Sequence, residues 1–420
     1  MYPIGYLPRA ASCLALGVLC RLAGVAAEPA APVEVAVLAP DASGHAELQP
    51  LAQALAGEFG LALRGRAGEP GPGAALAGAE VALFNRGPGP LDAAGARAVE
   101  AFLKAGRGVV LLGGTAVAWP TVAEFESRLL GAKQGGVFAG GAAFTVVDLY
   151  PHPIFGGVTQ FDARGPVPQF TGLAEDVQMI MEATVGEATA PLAWVRRRES
   201  GRVVQFVPAG PAAFRDATYQ RLVAQAVLWA AERTIPAARP AVQRTFMPEA
   251  TPGSFAITLP DGPGLCLDPV RGGINYVWDG DFVDLRPRWI TKEGQPARIF
   301  GPVFYREKEW QPLRAGAPGS PPDLQFRGYV LRDGVPEFHY VIGGRDVFES
   351  FAAGRRRGDL LRHFRVGPGS APLWLTLEPQ AEADVVVTGL ERDGARAVFA
   401  APAGGVFTVE IRRRQGGLSR

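Results

Sequence analysis

The sequence predicts a three-layer α/β domain followed by a C-terminal antiparallel β-sandwich. Three observations carry that expectation. Short apolar runs alternate with helical repeats as far as Arg233, the stretch after Thr234 turns rich in Pro and Ala, and beyond it strand-like runs follow one another without a convincing helix. Alternation of strands and helices marks βαβ units around a parallel sheet covered on both faces; a train of short strands with turn signals marks a sandwich.

The elements follow in order. Residues 1–27 read as a secretory signal: Arg9 closes a short n-region, "AASCLALGVLC" is apolar, and "VAA" precedes Glu28. The run is too short to span a bilayer, so no transmembrane segment is expected and the mature chain is expected outside the cytoplasm, periplasmic or secreted. The α/β domain is expected over 28–235. "VEVAVLAP" is its first strand, "HAELQPLAQALAGEFG" a helix, and "EVALFN" a second strand. "GPLDAAGARAVEAFLKAGRG" is a helix with Asp92 near its start, and "GVVLLGG" is a buried central strand. "VQMIMEA", "PLAWVRR" and "GRVVQFVPA" continue the strands, and "ATYQRLVAQAVLWAAE" is the closing helix. A linker is expected over 236–252 and the sandwich over 253–414, with hairpin turns at the Asp-Gly pairs beginning at Asp279, Asp333 and Asp393.

Bulk numbers exclude some functions. Removing the leader removes Arg9 and Arg21 and leaves 40 basic against 41 acidic residues, a poor match to the basic face that nucleic acid requires. The leader also takes Cys13 and Cys20, so Cys266 has no partner for an intramolecular disulfide, and 48% hydrophobic residues must supply the cores. No C-x-x-C-H occurs, so no haem attaches covalently. The Arg-Arg-Arg runs beginning at Arg196, Arg355 and Arg412 read more readily as solvated strand ends or turns than as anion sites.

Few residues suit chemistry. His45 is expected in the loop after the first strand, where it could meet Asp41 at the carboxyl edge of the sheet. His152, inside "DLYPHPIFGGV", sits in a loop shaped by two prolines and two glycines, and either shapes the loop or touches a ligand. Metal ligation needs several donors converging, so no metal and no cofactor is expected. Gly113 and Gly114 of "GGT" resemble a phosphate-cradling turn without a GxGxxG or Walker pattern, and a tight turn after a buried strand explains them equally. In the second half Arg271, Tyr276, Trp278, Asp279 and Asp281 mix aromatic faces with charged groups, a combination that suits a sugar; the alternative is the two faces of one strand plus a turn.

The run "PLAWVRRRESGRVVQFVPAGPAAFRDATYQRLVAQAVLWAAE", with "HPIFGGV" and "AGRGVVLLGG", resembles the ThuA-like (trehalose utilisation) family over roughly Val33 to Arg233. The resemblance implies a flavodoxin-like fold related to class I glutamine amidotransferases. It also implies where polar site residues would stand: a His after the central strand, where this chain has Gly113; a His after the GRV strand, where it has Gly210; and an acidic pair, where it has Gln169 and Phe170. The elbow after the central strand reads "GGTAVAW", without the Cys nucleophile of an amidotransferase. "GLCLDPVRGGINYVWDGDFVDLRPRW" and "FRGYVLRDGVPEFHYVIGG" resemble a β-domain that accompanies ThuA-like and c-type cytochrome domains in large exported bacterial proteins. Together these imply a catalytically degenerate binding or assembly module, with a carbohydrate ligand and an exported cytochrome or dehydrogenase as partners. The alternatives are an active enzyme on sugars or keto-sugars, and a structural envelope protein.

Overall fold

The computed structural model describes residues 31–39, 41–65, 71–85, 91–113, 123–138, 143–158, 162–164, 167–185, 187–207, 209–287, 294–316 and 320–414. The expected leader and Gly114 lie outside them.

The first half is built on a nine-stranded sheet. In chain order its elements are β1 (Glu34–Leu38), α1 (Ala42–Gly57), β2 (Ala62–Arg64), α2 (Gly71–Ala75), β3 (Val81–Asn85), α3 (Ala93–Lys104), β4 (Gly108–Leu112), α4 (Ala123–Leu130), β5 (Lys133–Val137), β6 (Ala143–Leu149), β7 (Asp162–Arg164), β8 (Pro168–Thr171), β9 (Gln178–Val185), β10 (Ala188–Arg198), β11 (Gly201–Phe206) and α5 (Ala217–Ala230). The sheet runs β2-β1-β3-β4-β11-β10-β9-β6-β7, and β5 and β8 pair separately. The first five strands are parallel, in the flavodoxin-like order. From β10 onward the pairing is antiparallel. The expectation of a parallel sheet therefore holds for one half of it. A strand buried on both faces reads as a continuous apolar run whichever way it points, and the two-residue turn from β10 to β11, Glu199-Ser200, is what reverses the direction.

Three helices start the same way. Asp41, Asp92 and Asp216 each stand at an N-cap and accept from the backbone N–H of Gly44, Gly95 and Tyr219 at 2.8, 2.7 and 2.8 Å. Helix α1 therefore begins three residues before His45, which lies in its first turns and not in a preceding loop. Helix α1 packs on α5, and α2 on α3; right-handed crossovers put these two pairs on opposite faces of the sheet.

The second half has three sheets. Its five-stranded sheet runs in sequence order through β12 (Ala241–Arg244), β13 (Phe255–Thr258), β14 (Gly264–Asp268), β15 (Gly273–Trp278) and β16 (Val303–Arg306). Strand β12 falls inside the stretch expected to be linker. A six-stranded and a four-stranded sheet follow. Phe255, Ile257 and Leu265 of the first, Phe338, Tyr340 and Phe364 of the second and Leu373 and Leu375 of the third share one core. Asp333-Gly334 makes the expected hairpin turn, with both φ positive at 52° and 81°. Asp279-Gly280 does not: it opens a long excursion that returns at Val303. The described part of that excursion covers the outer face of the five-stranded sheet, where Met247, Cys266, Tyr276, Trp278, Phe282 and Leu285 form a second small core. From Val33 onward the chain forms one compact unit. Among the described residues no helix is long and apolar enough to cross a membrane.

Candidate functional site

In an open α/β sheet, ligands are met where the parallel strands end. Here β3 ends at Asn85, fully buried, whose Nδ2 donates to Gly44 O at 3.0 Å while its Oδ1 has no partner. Strand β4 runs into Gly113, buried at φ +83°, whose N–H donates to Phe206 O at 2.7 Å. The side chain of Gln205 donates through Nε2 to Gly113 O at 2.5 Å, and its Oε1 is unpaired. Beyond β11, Gly210 is buried at φ +144°. Gln169 is exposed on β8, while Phe170 is buried with its ring edge-on to Trp194 at 4.8 Å. His45 is half-buried, and its neighbour Asp41 is engaged as the N-cap. The described side chains at the ends of β3, β4 and β11 are amides and glycines, which orient dipoles but do not titrate; His45 and the capping Asp41 stand beside them in the first turn of α1.

His152 lies elsewhere, at the seam between the two halves. Its loop enters a 3-10 turn, Pro153–Phe155, and the imidazole Nδ1 accepts from Ile154 N–H at 3.3 Å. An accepting Nδ1 leaves the ring proton on Nε2, which faces Asp281 Oδ2 at 3.5 Å; the side chain is 0% exposed. Trp229, at the end of α5, stacks obliquely on the imidazole with centroids 5.4 Å apart and donates its indole N–H to both Asp281 oxygens at 3.1 Å. Arg202 lies over the other part of that indole, 4.7 Å from the ring centroid. Burial alone would raise the Asp281 carboxyl, but His152, Arg202 and Arg197 outweigh it and hold the group well below the usual carboxylate range. Gln178 adds a buried bond to Phe282 O at 2.8 Å, and Arg357 donates to Glu232 O at 2.6 Å. One loop of the β-domain is thus fastened to the α/β domain by a shared carboxylate.

The other second-half candidates are committed within the protein. Tyr276 and Trp278 are 2% and 0% exposed, so neither ring offers a face to solvent. The Tyr276 hydroxyl donates to Pro248 O at 2.8 Å and Trp278 Nε1 to Asp281 O at 3.0 Å. The Trp278 ring lies across its strand partner Gly264, where a Cβ would come within 2.1 Å of it. Arg271 bonds Asn275 Oδ1 at 2.7 Å and the carbonyls of Glu307 and Glu309. Asp279 pairs with Arg413 and, at 3.5 Å, with Arg197. These residues are neighbours in sequence, but the structure distributes them over two faces of a buried strand and the domain seam.

Two cavities flank the seam. One, of about 380 Å³, is framed by the His152 loop, Arg239, Thr258 and Phe282; the other, of about 240 Å³, by Gln178, Arg197, Trp229 and Asp281. Sequence reasoning did not single out Trp229, Arg202 or Arg197. All three sit in the run quoted for the family, but nothing in the order of residues tells which partner they meet. Among the described residues no group of three or more His, Cys, Asp or Glu could hold a metal.

Residues 72–230 match the family model of ThuA, trehalose utilisation. A ThuA-like protein from Bacteroides uniformis is similar at 18% identity, covering 49% of this chain and 94% of that one with a TM-score of 0.41. A ThuA-like protein from Parabacteroides merdae is similar at 12% identity over 48% and 90%, TM-score 0.38. A β-galactosidase from Rahnella sp. R3 is 9% identical over 91% of this chain and 41% of that one, TM-score 0.37. Among curated proteins none matches significantly.

Proposed function

We propose that this chain, which carries a ThuA-type domain, is an exported module without turnover of its own, serving carbohydrate-related machinery as a binding or assembly component. The observation that carries the reading is the engagement of His152. A catalytic imidazole uses one nitrogen for orientation and turns the other to the substrate. Here Nδ1 accepts from the backbone and Nε2 faces Asp281, so neither nitrogen is turned outward. Among the described residues, the ends of β3, β4 and β11 that would supply a substitute hold Asn85, Gly113, Gln205 and Gly210, none of which titrates. What remains suits recognition: one compact body with cavities along the seam of its two halves. An exported cytochrome or dehydrogenase would then supply the oxidising chemistry that this chain lacks.

The test is turnover of keto-disaccharides by the purified protein, alongside His152→Ala and His45→Ala. No turnover is expected from any of the three; activity in the wild type that either variant abolishes would overturn the reading. Export is read from the leader, with cleavage near Ala27. N-terminal sequencing of the exported protein is expected to start near Glu28, and soluble cytoplasmic protein retaining Met1 would contradict it.

A further inference from the structure

The first Arg-Arg-Arg run ends β10, and strand alternation parts its members. Arg197 reaches Asp279 at the seam. Arg196 and Arg198 both line a groove of about 690 Å³ on the α/β domain, bounded by the C-terminus of α4, the start of β5 and the 172–174 segment. Its wall is prebuilt. The last carbonyls of α4, which a helix leaves without partners, are met in turn: Arg196 donates to Arg128 O at 2.7 Å, Trp194 Nε1 to Leu130 O at 2.8 Å, and Ala174 N–H to Gly131 O at 2.7 Å. Gly131 is held at φ +70°, and a Cβ there would fall 2.6 Å from Arg196 Nη1 and from Val177 Cγ2, so only glycine lets the guanidinium lie where it does.

The charges on the lining do not cancel. Arg196 is neutralised by a two-pronged pair with Asp176, at 2.6 and 2.8 Å through Nη2, and Arg128 meets Glu100 at 3.1 Å. Lys133 and Arg198 pair with no described residue, and Glu124 is the single acid among the lining residues. One positive charge is left over. Ser127 adds a hydroxyl, and Gln134, also on the lining, has an amide with neither end hydrogen-bonded. Two unpaired cations beside an unsatisfied amide and a hydroxyl suit a ligand that is both anionic and hydroxylated.

We propose that this groove binds a small hydroxylated anion, the chemistry shared by sugar acids and sugar phosphates. The anionic group sits between Lys133 and Arg198, and ligand hydroxyls meet Ser127 and a rotated Gln134 amide. The anion half of this assignment stands on the groove alone; the sugar half rests on the carbohydrate-related function proposed above.

The test is calorimetric titration of the full-length protein at low salt with glucuronate, glucose 6-phosphate, glucose and acetate. Glucuronate or glucose 6-phosphate is expected to bind saturably and at least about tenfold more tightly than glucose or acetate. Lys133→Ala or Arg198→Ala should each weaken it by about tenfold, the loss of one charge-assisted contact, and added salt should weaken it further. Preference for glucuronate assigns the carboxylate, and preference for glucose 6-phosphate the phosphate. Unchanged thermal unfolding of the variants certifies their folding; if Arg198→Ala lowers it, Lys133→Gln at an exposed strand position carries the comparison. No saturable binding, or binding indifferent to both positions, overturns the groove assignment. Acetate binding as tightly as glucuronate overturns its sugar half. Turnover of a sugar by the wild type would overturn the proposed function and leave the groove standing.

Discussion

Two acids in this molecule answer burial in opposite ways. At the seam, Asp281 is held ionised, well below the usual range, because His152, Arg202 and Arg197 crowd it. Inside the sandwich, Glu349 is raised by burial, the dominant cause, and its pair with Arg362 only partly offsets that while Glu307 adds to it. The arithmetic of neighbours explains the difference. Asp281 is one acid beside two guanidinium groups and an imidazole, while Glu349 and Glu307 share a single buried guanidinium, at 1% side-chain exposure. The seam is therefore electrostatically over-provided, whereas these two buried glutamates have one guanidinium between them. Arg362 also joins two sheets, because Glu349 lies in the six-stranded sheet and Glu307 just past the end of β16. Its loss would be felt by the whole sandwich.

The largest effect should follow from Arg362→Ala. Both glutamates would be left buried without a cation, and breaking such a pair typically costs about 3–5 kcal/mol. Denaturant unfolding at neutral pH reads it directly. A loss below about 1 kcal/mol would break the contrast, since it would mean that water or a rearranged partner already compensates these acids.

How much of this was legible in the sequence depends on range. Asp92 as a helix start, the buried strand around Val110 and the Asp333-Gly334 turn are local signals, governed by capping, apolar runs and positive φ, and each stands where it was expected. The reversal at β10 was not legible, because an apolar run such as "GRVVQF" carries no direction. The grouping of Tyr276 and Trp278 with Asp279 as sugar-binding candidates rested on adjacency. What buries the two rings is the packing of Phe282, Val283, Leu285 and Ala297 on the outer face of β15, which no periodicity encodes. The contact between His152 and Asp281 joins residues of different domains, and the pattern of either stretch alone is silent about it. The Arg196 run shows the same limit: charge could be counted, but only alternation on a placed strand reveals that two of the three arginines share a groove.

A smaller effect, and a sharper one, should come from Asp281→Asn. The substitution keeps the shape and the acceptor for the Trp229 indole but removes the charge facing His152 and Arg202. Losing hydrogen bonds to a charged group in a mostly buried place costs about 1–3 kcal/mol. Its pH dependence fixes the cause. A carboxyl whose folded pKa is depressed contributes stability that is fully present above its unfolded value, about 4, and is lost as pH falls from there through the folded value. The gap between wild type and Asp281→Asn should therefore be constant from pH 7 to about pH 5 and close progressively in more acid solution, as read by denaturant midpoints at each pH. Glu349 predicts the reverse sign. Its raised folded pKa gives a contribution present below about pH 4 and lost as pH rises through the folded value, so Glu349→Gln should approach or surpass wild type at neutral pH. If the Asp281 gap does not narrow at all between pH 5 and pH 3, the carboxylate acts there through shape and hydrogen bonding alone, and the seam is not the charge-saturated hub that separates it from the sandwich.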